Sequence, residues 1–392
     1  MKPIPMPVLI TMAMGSPIAL NALLPVLPLV ADTFAVSNST AQLSLSLYLA
    51  ALAIGQLSLG GLINAQGLKR SLRIGLIGFI FGSSLAMFQW SIETLLVGRV
   101  FQGLGGAAMI SIARALLVES YGNKVAPQKM GYIIMAIALS QSVAPLLGSY
   151  ITDWFGWSYI FVMTALMGGL LLLLSNQYVK MNPVAKKRFS FQETLTLYQT
   201  LLKDASFRSY ALANTLIACC FYFFVSASPY ITATFDQSSH LFGYWFMSIT
   251  LSFMLGGFLS TRVTKYVSED RAIVLGNGIA LLGALLLLLI PMITYTHYLT
   301  LFLPMSLVTL GRGISQPSYQ SAAIGGVGSN GGMAAGLMGF LQLAFGAICS
   351  QVSPVMVEAW PLSLSIAIIT CVGIALSVHS IQLYRMSAKP HF

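Results

Sequence analysis

Long apolar stretches alternate with short polar connections along almost the whole chain. Each stretch holds about 20 predominantly apolar residues, the length that an α-helix needs to cross the roughly 30 Å hydrocarbon core of a bilayer. The pattern predicts an all-α polytopic membrane protein with about twelve transmembrane helices, which we number spans one to twelve. The predicted spans lie near residues 6–30, 41–63, 72–90, 94–118, 130–151, 157–178, 209–234, 242–263, 271–292, 299–322, 332–354 and 361–384.

A polar and basic segment interrupts this pattern between spans six and seven. It predicts two six-helix halves, residues 1–178 and 209–392, joined by a cytoplasmic linker at residues 179–208. Within the linker, the pattern FQETLTLYQTLLKD can form an amphipathic helix on the inner membrane surface.

Composition supports the membrane assignment. The 392 residues are 57% hydrophobic and 8% charged, whereas an ordinary soluble domain is about 25% charged, and the mean hydropathy is +0.82. A net charge of +10 would suggest nucleic acid in a soluble protein, but here the basic residues follow alternate spans and the intervening connections hold no Lys or Arg. The positive-inside rule therefore places both termini in the cytoplasm, and the basic residues reflect topology rather than a nucleic-acid partner.

Span four carries the most costly polar residues of the apolar pattern. Arg99, Gln102 and Arg114 lie in ETLLVGRVFQGLGGAAMISIARALLVESY, and a charge at membrane depth is costly unless it faces protein or water. At about 100° per residue, Arg99 and Arg114 lie within about 60° of each other, with Gln102 and Gly103 on the same side. This stripe predicts a water-lined interior. Glu119 is either a titrating partner of Arg114 or an interfacial carboxylate.

Four residues in other spans are further candidates for substrate binding or coupling. Asn21 in span one lines a cavity or forms an interhelical hydrogen bond. Tyr222 and Tyr230 in span seven enclose a ligand, or serve as packing and interfacial residues. Arg312 in span ten faces the cavity, pairs with a nearby carbonyl or snorkels to the interface.

Several stretches of the sequence together match one known family. They are STAQLSLSLYLAALAIGQLSLGGLINAQGLKRS over spans two and three, RVFQGLGGAA with Arg114 in span four, APLLGSYITDWFGWSYIF from Ala144, SASPYI from Ser226 and GGMAAGLMGFLQ from Gly331. They resemble the major facilitator superfamily, and within it the bicyclomycin-resistance (Bcr/CflA) drug:proton antiporters. The resemblance covers nearly the whole chain. It implies two six-helix halves, alternating access, export of drug-like molecules and proton antiport.

The resemblance also implies roles for particular positions, and the chain departs from the family at some of them. The turn after span two holds the gating candidates Asn64, Gly67, Lys69 and Arg70. In the family this turn carries Asp where this chain has Asn64 and Arg where it has Leu68. The span-one acid of the family corresponds to Asn21 in LNALLPVLP. The departures at Asn64 and Leu68 weaken the charge relay that the family uses as a gate between spans two and eleven, and Asn21 leaves span one without the acid of the family's proton site.

The motifs of spans four and five imply the remaining roles. Arg99, Gln102 and Gly103 correspond to the span-four motif, and we expect them to have an architectural or gating role. Pro145 and Gly148 belong to the span-five motif, which marks exporters and shapes the outward-closed cavity. Pro145 also removes a backbone hydrogen bond and can kink the helix. Gln141, in the same span as Pro145, is a further candidate for substrate binding or coupling. Of the two arginines in span four, Arg114 is the stronger candidate for that role, and Arg99 is the architectural or gating one.

The distribution of charge favours one substrate class over another. The chain has three arginines within spans and no carboxylate in the middle of any span. An exported cation would need such a carboxylate, whereas arginine binds carboxylates in a planar, bidentate way. The alternative to a drug:proton antiporter is therefore a dedicated exporter of an anionic metabolite, such as a carboxylate siderophore, with proton coupling altered or absent.

Other classes of protein fit the sequence less well. No phosphate-binding loop, metal cluster or paired nucleophile and base is present, so we expect neither an enzyme nor a cofactor. A channel remains possible, although two halves favour alternating access, and a receptor would need longer soluble segments. We expect a monomer whose partners are a small-molecule substrate, the lipid bilayer and protons.

Overall fold

The fold is built from helices of membrane-spanning length. The computed structural model describes residues 4–179, 191–235, 239–290, 297–325, 331–360 and 362–387. Within these ranges no strand occurs, and eleven helices are long and apolar enough to cross a membrane. They hold spans one to nine, eleven and twelve, and they run Met6–Phe34, Asn38–Leu59, Ala65–Met87, Ile92–Gly122, Lys129–Phe155, Tyr159–Tyr178, Ala205–Ala233, His240–Val263, Glu269–Leu289, Met333–Ala359 and Ser363–Tyr384.

Span ten is a helix of comparable length but of more polar composition. It covers the 28 residues of Tyr298–Gly325 and contains Arg312 and two prolines. A further helix, Phe191–Lys203, lies between spans six and seven, where the sequence predicts an amphipathic helix. The predicted all-α polytopic fold is confirmed, and the helix ends differ from the predicted ones by a few residues.

The chain forms two compact units. The first contains Met1–Phe191 and Asp236–Tyr244, and the second contains Gln192–Phe235 and Trp245–Phe392. The boundaries predicted for the linker stay a prediction, because residues 180–190 lie outside the described ranges.

Span four lies at the centre of the first unit, where it packs against spans one, two and three. At Gly103, a Cβ atom would lie 2.5 Å from the Tyr48 carbonyl oxygen of span two. Only glycine allows the two backbones to approach this closely, a common device where membrane helices pack. The GLGG sequence of span four is therefore a packing surface.

Two tight turns join neighbouring spans in the first unit. Gly67, near the start of span three, has a φ of 81°, and Gly122, at the end of span four, has a φ of 71°; they are non-helical positions within the helices Asn38–Met87 and Ile92–Phe155. Because residues with a Cβ atom rarely adopt positive φ, glycine allows each helix to end and the next to begin within one residue.

Span seven of the second unit packs against spans ten, eleven and twelve. At Gly346 of span eleven, a Cβ atom would lie 2.6 Å from the Tyr222 ring of span seven. Tyr222 thus lies flat against a neighbouring helix, as the packing alternative for this residue predicts.

Candidate substrate and coupling site

Arg99 is fully buried in the first unit and is surrounded by oxygen atoms. Its Nε donates to the Ser44 carbonyl oxygen at 2.9 Å. Its Nη1 donates to the Ala19 carbonyl oxygen at 2.9 Å and to Gln102 Oε1 at 2.8 Å. The guanidinium carbon lies 4.3 Å from the centre of the Tyr48 ring, a distance at which the ring face attracts a cation. The charge therefore ties span four to spans one and two.

Gln102 extends this network to two further spans. Its Nε2 donates to Ser83 Oγ of span three at 2.7 Å and to Thr164 Oγ1 of span six at 3.2 Å. Like Arg99, Gln102 is fully buried. The prediction of a water-lined stripe is therefore wrong at Arg99 and Gln102, because both side chains are fully buried and bind groups of spans one, two, three and six, although Arg99 Nη2 has no partner among the described residues.

Arg114 differs from Arg99 although both lie on span four. Its side chain is exposed, and no hydrogen bond or ion pair joins it to the residues that the structure describes. Glu119, nearer the end of the span, is exposed as well. The predicted polar stripe thus divides into a buried part at Arg99 and an accessible part at Arg114.

Asn21 and Gly148 meet where the helix of span one breaks. Asn21 is buried and donates from Nδ2 to the Pro17 carbonyl oxygen of its own helix at 2.8 Å. The helix ends at this residue and a short 3-10 turn, Leu24–Val26, follows. A Cβ atom at Gly148 would overlap the Ala22 carbonyl oxygen, so span five passes directly against the break.

The other two candidates of span five, Pro145 and Gln141, lie on the same helix as Gly148. Pro145 is buried, and its carbonyl oxygen accepts a hydrogen bond from Ser149 Oγ at 3.0 Å. Gln141, one helical turn earlier, is half-buried.

The basic turn after span two holds the end of span six. Lys69 Nζ donates to the Asn176 carbonyl oxygen at 3.1 Å, and Arg73 Nε donates to Asn176 Oδ1 at 2.7 Å. Cations are favourable at the C-terminal end of a helix, where the unpaired carbonyls point. Arg70 is exposed, and the side chain of Asn64 lies outside the described residues.

Arg312 is the main charged candidate of the second unit. Its Nε donates to Gln316 Oε1 at 3.0 Å, and its guanidinium carbon lies 5.2 Å from the Phe221 ring centre and 5.0 Å from that of Phe253. The arginine is thus held by two aromatic rings and by a side chain of its own helix, not by a carbonyl. Tyr230, on the same helix as Phe221, is half-buried.

Two contacts between a histidine and a carboxylate were not predicted from the sequence. In the first, His240 Nε2 lies 2.5 Å from Asp153 Oδ2, and the imidazole stacks on Tyr150 with ring centres 4.2 Å apart. In the second, His379 Nε2 lies 3.7 Å from Asp270 Oδ1. Each pair joins residues far apart in the chain, so no spacing in the sequence indicates it.

The described chain is thus a polytopic bundle of membrane-spanning helices with arginines within its spans. The chain belongs to the Major Facilitator Superfamily, whose sequence profile matches residues 9–350. It is a multi-pass membrane transporter of small molecules, and the resemblance to the drug-transporter branch of the superfamily is confirmed.

Related proteins and a solved structure agree with this assignment. A chloramphenicol resistance protein of Acinetobacter baumannii is 24% identical over 84% of this chain and 80% of its own. A bicyclomycin resistance protein homolog of Haemophilus influenzae is 26% identical over 71% of each chain. The crystal structure of a D-xylose-proton symporter superposes with a TM-score of 0.74 at 15% identity, over 95% of this chain and 96% of that one, which shows the shared fold.

Proposed function

We propose that this protein exports small drug-like molecules from the cytoplasm across the bacterial inner membrane by alternating access, driven by proton antiport. The observation that carries the proposal is that relatives named for chloramphenicol and bicyclomycin resistance align over 84% and 71% of this chain. The basic turns after the even-numbered spans favour an orientation with both termini in the cytoplasm.

The distribution of charge supports an uncharged or anionic substrate. In the described spans, every Asp and Glu lies near a span end, whereas Arg99, Arg114 and Arg312 lie deeper. A cation that enters such an interior loses its hydration and meets no opposing charge, which is unfavourable. An uncharged amphenicol avoids this penalty.

A second candidate function is the export of an anionic metabolite, such as a carboxylate siderophore. It is favoured by the exposed Arg114, whose guanidinium has no hydrogen-bond partner among the described residues. Arginine binds a carboxylate through two parallel hydrogen bonds. Arg312, with its two flanking rings, suits the aromatic or planar part of such a ligand.

Transport into everted inner-membrane vesicles tests both candidates. Vesicles energised to be acidic inside should accumulate radiolabelled chloramphenicol, and a protonophore should abolish the accumulation. Uptake that persists with the protonophore would exclude proton coupling, and absent uptake would exclude amphenicols.

The variant Arg114→Ala separates the two substrate classes. It should lower transport of a tricarboxylate such as citrate by about tenfold or more, because hydrogen bonds to a charged group are lost, and should affect uncharged chloramphenicol less. Arg208→Ala is a matched control, since Arg208 is exposed at the start of span seven. Equal transport of the tricarboxylate by wild type and Arg114→Ala would rule out anion binding at Arg114.

A further inference from the structure

A buried histidine lies among polar groups at one end of the second unit. His379 of span twelve is fully buried, and its neighbours are Asp270 at the start of span nine, Tyr210 of span seven and Tyr319 of span ten. Its ring centre lies 6.0 Å from that of Tyr210 and 5.8 Å from that of Tyr319. We call these residues, together with Asn277, the His379 cluster. It lies at the end of the bundle predicted to face the cytoplasm.

The described residues leave the hydrogen-bonding groups of His379 unused. Neither of its ring nitrogens has a hydrogen-bond partner among the described residues, although buried polar atoms in proteins are nearly always bonded. The gap of 3.7 Å between Nε2 and Asp270 Oδ1 is just too long for a hydrogen bond. An approach of about 1 Å would make a charge-assisted bond between an imidazolium and the carboxylate. Protonation of His379 therefore favours a shift of span twelve towards span nine.

Asp270 connects the buried histidine to water. Its side chain is 34% exposed, whereas that of His379 is completely enclosed. Oδ1 of Asp270 accepts a hydrogen bond from the Tyr210 hydroxyl at 3.3 Å, which holds the carboxylate towards the cluster. Glu269, the neighbouring acid, accepts from Ser321 Oγ at 2.8 Å. One carboxylate thus stands between the imidazole and the solvent.

The cluster continues towards the middle of the bundle. Asn277, two helical turns after Asp270, donates from Nδ2 to the Tyr319 hydroxyl at 2.6 Å. Its Oδ1 has no partner among the described residues. A hydroxyl and an amide that can exchange hydrogen bonds therefore lie on the interior side of the histidine, and a carboxylate lies on its aqueous side.

Other groups in the described spans are less suited to carry a proton. Asn21 in span one carries an amide, which does not titrate, and the described acids lie near span ends. His240 already contacts Asp153 at hydrogen-bonding distance, and His297 is exposed. Histidine is the side chain whose ordinary pKa allows a change of charge near neutral pH. His379 is thus the fully buried histidine of the described spans, and it is the one that lies beside a carboxylate without a hydrogen bond to it.

We propose that the His379 cluster is the proton-release site of the transport cycle. The N–H bond at His379 Nε2 breaks, the proton passes to the Asp270 carboxylate and from there to cytoplasmic water, and the neutral imidazole remains. Tyr210 positions the carboxylate. This inference rests on the proposed proton-driven export and locates where the proton leaves the protein.

Two transport assays on reconstituted wild type and His379→Gln separate coupling from folding, with radiolabelled chloramphenicol as the probe. Accumulation driven by a pH gradient should fall by about tenfold or more, because glutamine has no group that binds and releases a proton near neutral pH. Exchange of labelled for unlabelled probe at equal pH should change by less than about twofold. His297→Gln, the same substitution at an exposed histidine, should leave both rates unchanged. If His379→Gln keeps gradient-driven accumulation, or loses both activities together, the proposal is overturned.

A spectroscopic measurement tests the site without any substrate. In purified protein labelled with ¹⁵N-histidine, the signals absent from His379→Gln identify His379. They should report a change from imidazolium to neutral imidazole between about pH 5 and about pH 9, and Asp270→Asn should shift that midpoint by about one pH unit. A His379 ring that stays neutral throughout overturns the proposal. A wild-type protein whose His379 titrates but which shows no gradient-driven transport would instead contradict the proposed function.

Discussion

At the scale of the residue, Arg99 shows how a membrane helix holds a charge without a carboxylate. Its guanidinium is fully buried and donates to two main-chain carbonyl oxygens and to Gln102. The planar group offers five donors at fixed angles, so it can bind oxygens of several helices at once. The break in span one supports this, because the Ala19 carbonyl lies just before it.

Replacing Arg99 by lysine should lower the free energy of unfolding by about 1–3 kcal/mol, because one ammonium group cannot reach all three oxygens and leaves buried acceptors unpaired. Thermal unfolding in detergent measures the change. Arg208→Lys, at an exposed arginine, is the matched control and should unfold at the wild-type temperature. Equal unfolding temperatures for all three proteins would show that the Arg99 network does not stabilise the fold.

At the level of whole helices, spans four and five each pack closely against another span, and at the points of closest approach only glycine fits. Gly103 allows span four to lie against the Tyr48 backbone, and Gly148 allows span five to lie against Ala22. The polar Ala22 carbonyl at the break in span one is thereby covered by a helix backbone. The contact with Ala22 thus explains why the span-five motif has a glycine at position 148 in this protein.

The variant Gly148→Ala tests this packing, since its Cβ atom would overlap the Ala22 carbonyl oxygen. We expect a loss of stability of about 1–3 kcal/mol from overpacking, together with reduced transport. Gly169→Ala in span six is the control, because a Cβ atom at Gly169 has no neighbour within 4 Å. Unfolding temperatures of both variants would be compared with wild type. A Gly148→Ala protein as stable as Gly169→Ala would refute the close approach.

At the scale of the whole molecule, span eight belongs to both compact units. Asp236–Tyr244 clusters with the first unit, and the chain from Trp245 onward belongs to the second. Two contacts attach this first part of span eight to span five: His240 with Asp153, and the Tyr150 and Tyr244 hydroxyls at 2.9 Å. Gly243 also packs against Leu146, where a Cβ atom would lie 2.7 Å from the Leu146 Cα. In alternating access, some contacts of this kind between helices must break and re-form during each cycle.

A disulfide between Leu146→Cys and Gly243→Cys should therefore stop transport, because a Cβ atom at Gly243 would lie 3.1 Å from the Leu146 Cβ, close to the separation in a disulfide. Oxidation of the double variant by copper phenanthroline should abolish uptake into everted vesicles, and dithiothreitol should restore it. The wild type treated in the same way is the control, because its four cysteines are buried. If the cross-linked protein, shown by mass spectrometry to be oxidised, still transports at the wild-type rate, spans five and eight stay together throughout the cycle.

The sequence predicted much of this architecture but few of the contacts within it. The spans followed from apolar length alone, because a bilayer requires about 20 apolar residues per helix. The cost of burying a charge singled out Arg99 and Arg114 as important residues. Helical periodicity then placed both of them on one polar stripe. It could not show that Arg99 is enclosed by neighbours while Arg114 is exposed.

By itself, the sequence determined the membrane-spanning helices, the superfamily and the positions of the polar residues within apolar spans. These properties depend on the hydrophobic effect and on local motifs, and both can be read from the amino-acid sequence of one chain. Only the tertiary structure decided which polar groups meet. Arg99 reaches carbonyls of two other spans, and His379 of span twelve lies beside Asp270 of span nine. Such meetings depend on helix packing between distant segments, for which no local pattern exists.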